Sequence, residues 1–526
     1  MAPRVLISDK MSHLAEEIFK KNGVEVDVKT GLDREQLIDI IDNYDGLAVR
    51  SATKVTLPVL KASDRLRVIG RAGIGVDNID IPTATEKGVI VMNTPHGNSI
   101  TTAEHAVAMM MALARDIPAA DISTQSGKWE KSKFLGVELT NKTLGIIGCG
   151  NIGSIVADRA VGLRMKVIAY DPFLSPERAI DLGVEKVELD NLFERSDFIT
   201  LHTPLTDKTR EIINRSSIDR MRAGVRVINC ARGGLIDEAA LKDGIESGKI
   251  AGAALDVFSQ EPAKENILFG VDNVICTPHL GAATTEAQEN VAIQIAEQMS
   301  DYLVTGGITN ALNFPSISAE EAPKLKPFVI LAEQLGSFAG QLVETGISAV
   351  RIEFAGEVAD MNVKALTSAA IFGVLKPFLQ DANMVSAPAL AKQRGIAVEE
   401  ITRGQEGAYE NYMRLSVLTE RQERSVAGTV FSDGKPRVIQ VRGVNMETEL
   451  AENILYVENS DQPGCIGGLG VVLGDAGINV ATFSLGRESQ GGKAIALVET
   501  DVAISDEIIH HVRALPQVVE ARRLSF

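Results

Sequence analysis

The sequence predicts an α/β protein with two doubly wound parallel-sheet domains, followed by an α+β domain and a small ferredoxin-like domain. Up to about residue 283, short apolar runs alternate with helical segments, as is typical of a parallel sheet covered on both faces. A glycine-rich turn joins a strand to a helix at residues 148–153. The residues after 453 run strand, helix, strand, strand, helix, strand, which is the order of a ferredoxin-like domain.

The first domain is expected to be discontinuous. Two helices, beginning at the capping boxes Thr101-x-x-Glu104 and Thr285-x-x-Gln288, bracket a second alternating region. We expect Pro118 to end the first helix, and the second to bury one face. That face comprises Ala292, Ile295, Met299 and Leu303. An inserted domain is entered and left once each, so residues 1–98 and 284–311 should form one flavodoxin-like domain around an inserted Rossmann domain, residues 99–283.

Strand and helix candidates elsewhere complete this division. A proline-containing segment, Asn313–Lys326, opens the α+β domain, residues 312–452, in which we expect a helix over Phe328–Glu344. The ferredoxin-like domain is residues 453–526. The strand candidates of the first domain are Arg4–Ser8, Val24–Val28, Gly46–Val49, Leu66–Ile69 and Val89–Met92. Those of the last domain are Ile454–Glu458, Asn479–Leu485, Ala494–Glu499 and Val519–Leu524, with helices Gly467–Asp475 and Asp506–Leu515.

Length and charge exclude several classes of protein. A chain of 526 residues is too long for one hydrophobic core and suggests three or four domains. The formal net charge of −17 argues against a nucleic-acid groove, which needs clustered Lys and Arg. We find no signal-peptide pattern and no apolar run near the ~18 residues that would span a bilayer. The four cysteines form no CxxC pair and no metal-ligand cluster. We therefore expect a cytoplasmic protein with no metal, nucleic acid or membrane partner.

The glycine-rich turn follows the strand candidate Leu144–Ile147 and predicts a dinucleotide site. Gly148 allows the tight turn, Gly150 lets a pyrophosphate approach the backbone, and Gly153 lets the following helix pack on the sheet. The pyrophosphate would lie against free N–H groups at the helix N-terminus. A glycine pattern of this kind also occurs in turns that bind nothing, so the neighbouring elements have to show whether this one binds a dinucleotide.

The next strand supplies that context. It ends in Asp171, at the spacing from the glycines expected of a residue that binds the ribose of the cofactor. A carboxylate there accepts a hydrogen bond from the 2′-hydroxyl of NAD and repels the 2′-phosphate of NADP. The alternative is that Asp171 only forms a turn before Pro172. We predict NAD as the cofactor.

Three later strand ends carry residues suited to moving a hydride to or from a 2-hydroxy acid. Arg232 offers a planar fork for a carboxylate, and His279 is the candidate general acid and base. Glu261, paired with the imidazole, would fix its tautomer and raise its pKa. Because ligands of open α/β sheets bind at the carboxyl ends of strands, we expect the three to converge. Taken singly, each could be a surface ion-pair partner, a structural histidine or part of a turn.

The segments that carry these residues resemble the D-2-hydroxyacid dehydrogenase family, and within it the long-form phosphoglycerate dehydrogenases, over nearly the whole chain. The segments are Gly148–Gly153, Asn229–Gly234, Leu255–Pro262 and Thr277–Gly281. The resemblance implies an Arg232–Glu261–His279 triad and NAD-dependent oxidation of 3-phosphoglycerate to 3-phosphohydroxypyruvate, the first committed step of serine biosynthesis. The cofactor contacts that it implies are Ile74, Asn151, Ile152, Asp171, Thr203, Cys230, Ala231, Arg232, Asp256, His279, Leu280, Gly281 and Ala282.

The family includes other functions that have to be weighed. Formate dehydrogenases, similar in fold, carry glutamine where Glu261 stands, so the glutamate favours a hydroxyl substrate. Hydroxypyruvate and glyoxylate reductases are usually shorter and lack the C-terminal domain. Corepressors that share the fold sense NAD without turnover and also lack that domain.

A phosphorylated substrate needs cations beyond the one that binds its carboxylate. Arg50 with Ser51, and Arg71 with Gly73, follow two strands of the first domain, in stretches similar to substrate-binding segments of phosphoglycerate dehydrogenases. Lys131 lies in a segment that resembles a loop reaching into a neighbouring subunit, which implies a homodimer or homotetramer. The alternative is that these cations are ordinary surface charge.

The residues from 453 onward resemble an ACT domain, and residues 312–452 resemble the intervening domain of the long-form enzymes. The resemblance implies an amino-acid effector. In serine-inhibited relatives the first loop carries His-x-Asn before Pro-Gly, and an asparagine follows on the next strand. Here Asn459 and Asp461 stand in the loop and Asn479 matches the later asparagine, so the loop departs from the pattern and leaves the effector open.

Overall fold

The computed structural model describes residues 2–404 and 409–526, and the chain forms two compact units. One unit contains residues 1–93 and 295–526, and the other contains residues 94–294. Among the described helices, none is long and apolar enough to cross a membrane.

The N-terminal part of the first unit is a five-stranded parallel sheet in the order β2-β1-β3-β4-β5. Its strands are β1 (Arg4–Ile7), β2 (Glu25–Val28), β3 (Gly46–Val49), β4 (Val68–Arg71) and β5 (Ile90–Asn93), and its helices are α1 (Leu14–Lys21), α2 (Arg34–Ile40), α3 (Leu57–Lys61) and α4 (Ile81–Glu86). The order confirms the flavodoxin-like prediction. Val49 pairs with Arg71, so β3 and β4 end side by side.

The second unit contains a seven-stranded parallel sheet in the order β12-β11-β10-β9-β6-β7-β8, which confirms the Rossmann prediction. Its strands are β6 (Thr143–Ile147), β7 (Lys166–Tyr170), β8 (Glu185–Lys186), β9 (Phe198–Leu201), β10 (Val225–Asn229), β11 (Ile250–Leu255) and β12 (Val274–Cys276). The helices of this stretch are α5 (Ser99–Ala114), α6 (Ile117–Gln125), α7 (Asn151–Gly162), α8 (Pro176–Asp181), α9 (Leu189–Arg195), α10 (Arg215–Arg220), α11 (Glu238–Glu246) and α12 (Thr285–Thr305).

The predicted start of α5 and the role of Pro118 were wrong. The helix begins at Ser99, before the predicted box, and it ends at Ala114. Asp116 adopts a left-handed conformation, with φ of 51°, and breaks the chain direction. Pro118 then lies in the first turn of α6, where its missing N–H costs nothing because first-turn N–H groups have no partner within the helix.

The second capping box is displaced by one residue. Thr284, rather than Thr285, accepts a hydrogen bond at Oγ1 from the backbone N–H of Ala287, at 3.2 Å. The predicted apolar face of α12 is confirmed, because all four of its residues are buried. They are Ala292, Ile295, Met299 and Leu303.

Residues 312–452 form a six-stranded mixed sheet in the order β14-β13-β15-β16-β17-β18, with α13 packed against α14. The strands are β13 (Ile347–Gly356), β14 (Ala397–Arg403), β15 (Asn411–Thr419), β16 (Glu423–Val430), β17 (Pro436–Val441) and β18 (Val444–Thr448), and the helices are α13 (Ala322–Gln341), α14 (Val363–Leu375) and α15 (Ala387–Gln393). The helix expected over Phe328–Glu344 instead spans Ala322–Gln341: Pro323 lies in its first turn, where a proline is tolerated, and Pro327 lies inside the helix.

The last part of the chain is an antiparallel sheet in the order β20-β21-β19-β22, with two helices, which confirms the ferredoxin-like prediction. Its elements are β19 (Asn453–Ser460), α16 (Cys465–Asp475), β20 (Val480–Arg487), β21 (Lys493–Thr500), α17 (Asp506–Arg513) and β22 (Val518–Ser525). The Gln341 side chain exchanges two hydrogen bonds with the Ser525 backbone, at 2.9 and 3.0 Å, and Phe526 stacks on Phe338. These contacts join β22 to α13.

Candidate active site

The predicted catalytic residues follow three neighbouring strands. Arg232 follows β10, Glu261 follows β11 and His279 follows β12. The three strands are parallel, and their last residues pair across the sheet, Asn229 with Leu255 and Leu255 with Cys276. The segments therefore leave the sheet at one edge. This is a consequence of parallel pairing, since strands that run the same way end on the same side.

His279 and Glu261 are hydrogen-bonded, Nδ1 to Oε2, at 2.6 Å. Because an ionised carboxylate only accepts, Nδ1 carries the proton, and Nε2 remains as the atom that can exchange a proton with a ligand. The other oxygen of Glu261 accepts a hydrogen bond from the Phe258 N–H at 3.0 Å, which fixes the carboxylate plane. The imidazole is half exposed, so a ligand can reach it.

The electrostatics of this pair suit a general acid and base. The hydrogen bond that His279 donates to Glu261 raises the pKa of His279 above its usual value, against the opposing effect of burial. Burial acts to raise the pKa of Glu261, but the hydrogen bonds from His279 and the Phe258 N–H outweigh it, and the pKa of that carboxyl is lowered. The pair thus stabilises an imidazolium next to a carboxylate.

Arg232 lies in a turn that a buried amide holds. The side chain of Asn229 donates to the Arg232 carbonyl at 2.9 Å and accepts from the Ala231 N–H at 3.0 Å. The guanidinium donates to the Ala231 carbonyl at 2.7 Å. Its charge acts to lower the pKa of His279, a smaller effect than the hydrogen bond with Glu261 that raises it. Arg232 is therefore close enough for its charge to act on the imidazole of His279.

Asp256 organises the main chain directly after His279. Its side chain is fully buried and accepts hydrogen bonds from the backbone N–H groups of Leu280 and Gly281, at 2.7 and 2.8 Å, and from the Thr277 hydroxyl at 2.6 Å. Burial acts to raise the pKa of Asp256, but these bonds and one from His105 lower it overall. An ionised Asp256 therefore anchors the loop.

His105 is a residue that the sequence did not reveal. It lies on α5, with Nε2 3.3 Å from Asp256 Oδ1 and 3.4 Å from the Thr277 hydroxyl. A single histidine in a helix of small and apolar residues gives no pattern from which this pairing could be predicted. Its partners lie more than 150 residues further along the chain.

His202 lies in an environment different from that of His279. It is enclosed beside β9, where Nε2 lies 2.9 Å from the Thr200 hydroxyl. Burial lowers its pKa to about 4, so the ring is neutral near neutral pH. The pKa values of the two histidines are thus shifted in opposite directions.

The glycine turn fits a dinucleotide pyrophosphate. Gly148 has a φ of 91°, and a Cβ there would lie 2.6 Å from the His202 carbonyl oxygen. A Cβ on Gly153 would lie 2.0 Å from the Gly148 carbonyl oxygen, so close packing requires glycine at both positions. At Gly150 a Cβ would meet no atom within 4 Å, which leaves the N-terminus of α7 open to a ligand.

Asp171 lies beside this turn. Its Oδ2 accepts from the Cys149 N–H and its Oδ1 from the Phe173 N–H, each at 2.8 Å. The carboxylate thus joins the end of β7 to the middle of the glycine turn. This is the position from which an acidic residue can reach the ribose of a bound dinucleotide.

The remaining expected cofactor contacts are distributed over both units. Thr203 follows β9 next to Gly148, and its N would lie 3.1 Å from a Cβ there. Asn151 is exposed at the start of α7, and Ile152 beside it is partly buried. Ile74 belongs to the other unit, where its carbonyl accepts from Asn93 at 2.7 Å. Around the catalytic loops, Cys230, Ala231 and Gly281 are buried, Ala282 is partly buried and Leu280 is exposed.

The residues expected to bind a phosphate lie at the carboxyl edge of the five-stranded sheet. Arg50 directly follows β3 and Arg71 ends β4, its neighbour in the sheet. Ser51 is exposed in the turn after β3, and Gly73 has a φ of 144°, which only glycine adopts readily. Lys131 is exposed in the segment between α6 and β6 of the other unit.

The three effector candidates are not brought together within one chain. Asp461 accepts hydrogen bonds from Arg487 and the Gly491 N–H, at 3.0 and 2.9 Å, near the start of β21. Asn479 donates to Asp501 at 2.8 Å, beyond the other end of β21. Asn459 lies near the end of β19, two residues before Asp461. Its amide nitrogen is buried and has no hydrogen-bond partner among the described residues. All three residues stay effector candidates, and one copy of the domain does not bring them to a common site.

Within residues 2–404 and 409–526, no group of three or more His, Cys, Asp or Glu side chains could hold a metal ion. The four cysteines are free thiols.

Family models match two parts of the chain. Residues 107–281 match the NAD binding domain of the D-isomer specific 2-hydroxyacid dehydrogenases. Residues 324–442 match the D-3-phosphoglycerate dehydrogenase intervening domain.

Curated relatives match over nearly the full length. The D-3-phosphoglycerate dehydrogenase of Synechocystis is 43% identical, over 98% of this chain and 94% of the relative. That of Methanocaldococcus jannaschii is 42% identical, over 98% of both chains, and that of Bacillus subtilis is 40% identical, over 99% of both.

Solved structures resemble the dehydrogenase part. A glyoxylate reductase from Paecilomyes thermophila matches with a TM-score of 0.55 and 28% identity, over 59% of this chain and 98% of its own. A D-lactate dehydrogenase from Aquifex aeolicus, in complex with NAD and lactic acid, matches with a TM-score of 0.53 and 28% identity, over 60% of this chain and 100% of its own. With the full-length relatives, these matches show that the chain belongs to the NAD-dependent D-isomer specific 2-hydroxyacid dehydrogenases, and within them to the D-3-phosphoglycerate dehydrogenases.

Proposed function

We propose that this enzyme oxidises 3-phosphoglycerate to 3-phosphohydroxypyruvate with NAD, in the first committed step of serine biosynthesis. The observation that carries the chemistry is the 2.6 Å hydrogen bond between His279 Nδ1 and Glu261 Oε2, which leaves Nε2 as the proton acceptor. The relatives' names and the two neighbouring arginines at the ends of β3 and β4 support the phosphorylated substrate.

Arg232, Glu261 and His279 have separate roles in the proposed reaction. Arg232 binds the substrate carboxylate and holds C2 beside the imidazole. His279 Nε2 takes the proton of the C2 hydroxyl, and the charged Glu261 stabilises the imidazolium that results. NAD, held by the glycine turn and Asp171, would supply the acceptor for the hydride that leaves C2. In the reverse direction His279 returns the proton to the carbonyl oxygen.

We propose that the glycine turn and Asp171 hold the cofactor. Gly150 and the N-terminus of α7 would receive the pyrophosphate, and Asp171 the ribose hydroxyls. The other contacts proposed from the family are Ile74, Asn151, Ile152, Thr203, Cys230, Ala231, Asp256, Leu280, Gly281 and Ala282.

We propose that residues 1–98 together with 284–311 bind the substrate and that residues 99–283 bind NAD. Residues 312–452 and 453–526 would be regulatory domains. We propose that Arg50 and Arg71 bind the substrate phosphate, with Ser51 and Gly73 contributing from the same turns. Lys131 would act from a neighbouring subunit of a homodimer or homotetramer.

The test is the substrate preference of R50A and R71A. We expect either variant to raise KM for 3-phosphoglycerate by about 10- to 100-fold, the effect of losing a charge-assisted hydrogen bond, and to change KM for D-glycerate far less. R65A is the matched control, because Arg65 pairs with Asp45 before β3, at the opposite edge of the same sheet. Equal losses on both substrates would show that the arginines support the fold or bind the carboxylate.

The same assay separates the alternatives. Faster reduction of hydroxypyruvate or glyoxylate than of 3-phosphohydroxypyruvate would indicate a reductase of the same family. NAD binding with no turnover of any of these substrates would indicate a sensor.

We propose that residues 453–526 form an ACT domain that binds an amino acid, with serine as the first candidate. The ferredoxin-like topology supports the domain type, and the departures at Asn459 and Asp461 leave the effector's identity to experiment. A cytoplasmic location, which four free thiols favour, stays a prediction.

A further inference from the structure

A buried carboxylate holds the turn that carries Arg50. Asp9 directly follows β1, and only 5% of it is exposed. Its Oδ2 accepts from the Arg50 N–H at 2.6 Å, and its Oδ1 accepts from the Thr53 hydroxyl at 2.7 Å. The Thr53 N–H lies 3.1 Å from both oxygens. Asp9 thus binds both ends of residues 50–53, which we call the Arg50 turn.

An amide holds the same turn through its carbonyl groups. Asn78 Nδ2 donates to the Arg50 carbonyl at 2.7 Å and to the Thr53 carbonyl at 2.6 Å. The backbone of Asn78 is fixed in turn, because its carbonyl accepts from the Val55 N–H at 2.8 Å. The N–H and C=O groups at both ends of the Arg50 turn are therefore all bound by Asp9 and Asn78.

This arrangement fixes the backbone of Arg50 and leaves the guanidinium at the surface, where it donates to the Lys10 carbonyl at 3.3 Å. A four-residue turn at a strand end would otherwise be among the more mobile parts of a domain. A ligand that binds such an arginine has to immobilise the turn, whereas a turn already held adds no such cost.

We propose that Asp9 and Asn78 are positioning residues, which set the affinity for the substrate phosphate by holding Arg50 in its binding geometry. The proposal rests on the proposed role of Arg50 in binding 3-phosphoglycerate. Neither residue touches the substrate, and neither takes part in proton transfer.

The experiment uses the full-length enzyme and compares D9N and N78A alone and combined with R50A. An asparagine at position 9 keeps the size of the side chain but replaces one acceptor with a donor, and N78A removes both bonds to the turn. We expect each single variant to raise KM for 3-phosphoglycerate by about tenfold, with kcat and KM for NAD within about twofold of wild type. In the R50A background neither should raise KM further, because the residue through which they act is gone.

Two further variants separate positioning from stability. D45N is the matched control, since Asp45 also accepts a backbone N–H, that of Arg4 at 2.8 Å, but at the opposite edge of the sheet. We expect D45N to lower Tm without changing KM. If D9N does not fold, T53A removes the hydrogen bonds of the Thr53 hydroxyl with Asp9 and Ser8 and leaves Asp9 its bonds to the backbone, and we expect KM to rise about threefold.

The outcomes distinguish the two proposals. If R50A raises KM but D9N, N78A and T53A do not, the positioning role is wrong and the role of Arg50 stands. The positioning role is equally wrong if the variants raise KM by the same factor with and without Arg50. If R50A itself leaves KM unchanged, Arg50 does not bind the phosphate, and both proposals fail.

Discussion

Two sheets can be compared: the parallel sheet of residues 94–294, which we call the catalytic unit, and the antiparallel sheet of residues 453–526, which we call the C-terminal domain. The two sheets place their candidate site residues in opposite ways. In the catalytic unit, parallel strands bring Arg232, Glu261 and His279 to one edge, where two of them bind each other at 2.6 Å. In the C-terminal domain, Asp461 follows β19 and Asn479 precedes β20. Both strands run antiparallel to β21, so the end of one and the start of the other lie at opposite edges.

The direction of the strands decides whether the residues of a proposed site can meet within one copy of the chain. Residues that follow parallel strands meet within one copy, so the proposed chemistry needs no other domain for its proton transfer. Residues at opposite edges of a sheet do not meet within one copy, and each is already bound by a neighbour, Asp461 by Arg487 and Asn479 by Asp501. An effector that contacts both edges would require a second copy of the domain.

The largest effect is expected from removing the proposed proton acceptor, His279. We expect H279A to lower kcat by about 100- to 10,000-fold, the range for losing a general acid and base. NAD binding, measured by fluorescence titration or calorimetry, should change little. Near-normal turnover in H279A would contradict the assignment of His279.

A second variant tests whether Asp171 determines the preference for NAD. D171A should narrow the preference for NAD over NADP by about tenfold or more, because a hydrogen bond and a repulsion are both lost. The measurement is the ratio of kcat/KM for the two cofactors. An unchanged ratio would mean that Asp171 only joins β7 to the glycine turn.

The smallest effect is expected from removing the C-terminal domain. A chain that ends at Glu452 should keep its catalytic activity, since every proposed catalytic residue precedes residue 283. Loss of the contacts from Ser525 and Phe526 to α13 should lower the Tm of residues 312–452 without changing KM for substrate. A large fall in kcat would contradict the self-sufficiency of the catalytic unit.

The same pair of proteins locates the effector site. Full-length and truncated enzyme are compared for inhibition by serine at equal subunit concentration. Inhibition confined to the full-length chain is expected if the site lies in the last domain, because an effector acts only through a site whose affinity differs between states. Inhibition that survives truncation places the site elsewhere. If neither form responds, other amino acids are screened against Asn479 variants.

Sequence reasoning predicted the fold and the pairing of Glu261 with His279, because strong constraints act on both. Strand-helix alternation is typical of a parallel sheet, and removing the hydroxyl proton of a 2-hydroxy acid permits few residue types at few strand ends. Sequence reasoning did not predict local features for which one sequence pattern allows several structures. Pro118 can end one helix or begin the next, and only the left-handed Asp116 decides between them. His105 and Asp9 act through partners far along the chain, and no spacing links such pairs.

The pH dependence of the reaction tests the central claim, that a Glu261–His279 pair transfers the proton. In the direction of oxidation the neutral imidazole is the base, so kcat rises as pH rises through the pKa of His279. Because the hydrogen bond that His279 donates to Glu261 raises that pKa, the rising limb of wild type lies at higher pH than an unperturbed histidine would give. In E261Q the charge is lost while the shape is kept, and the rising limb should move to lower pH with a reduced plateau. A rising limb at the same pH in E261Q and wild type would contradict the account.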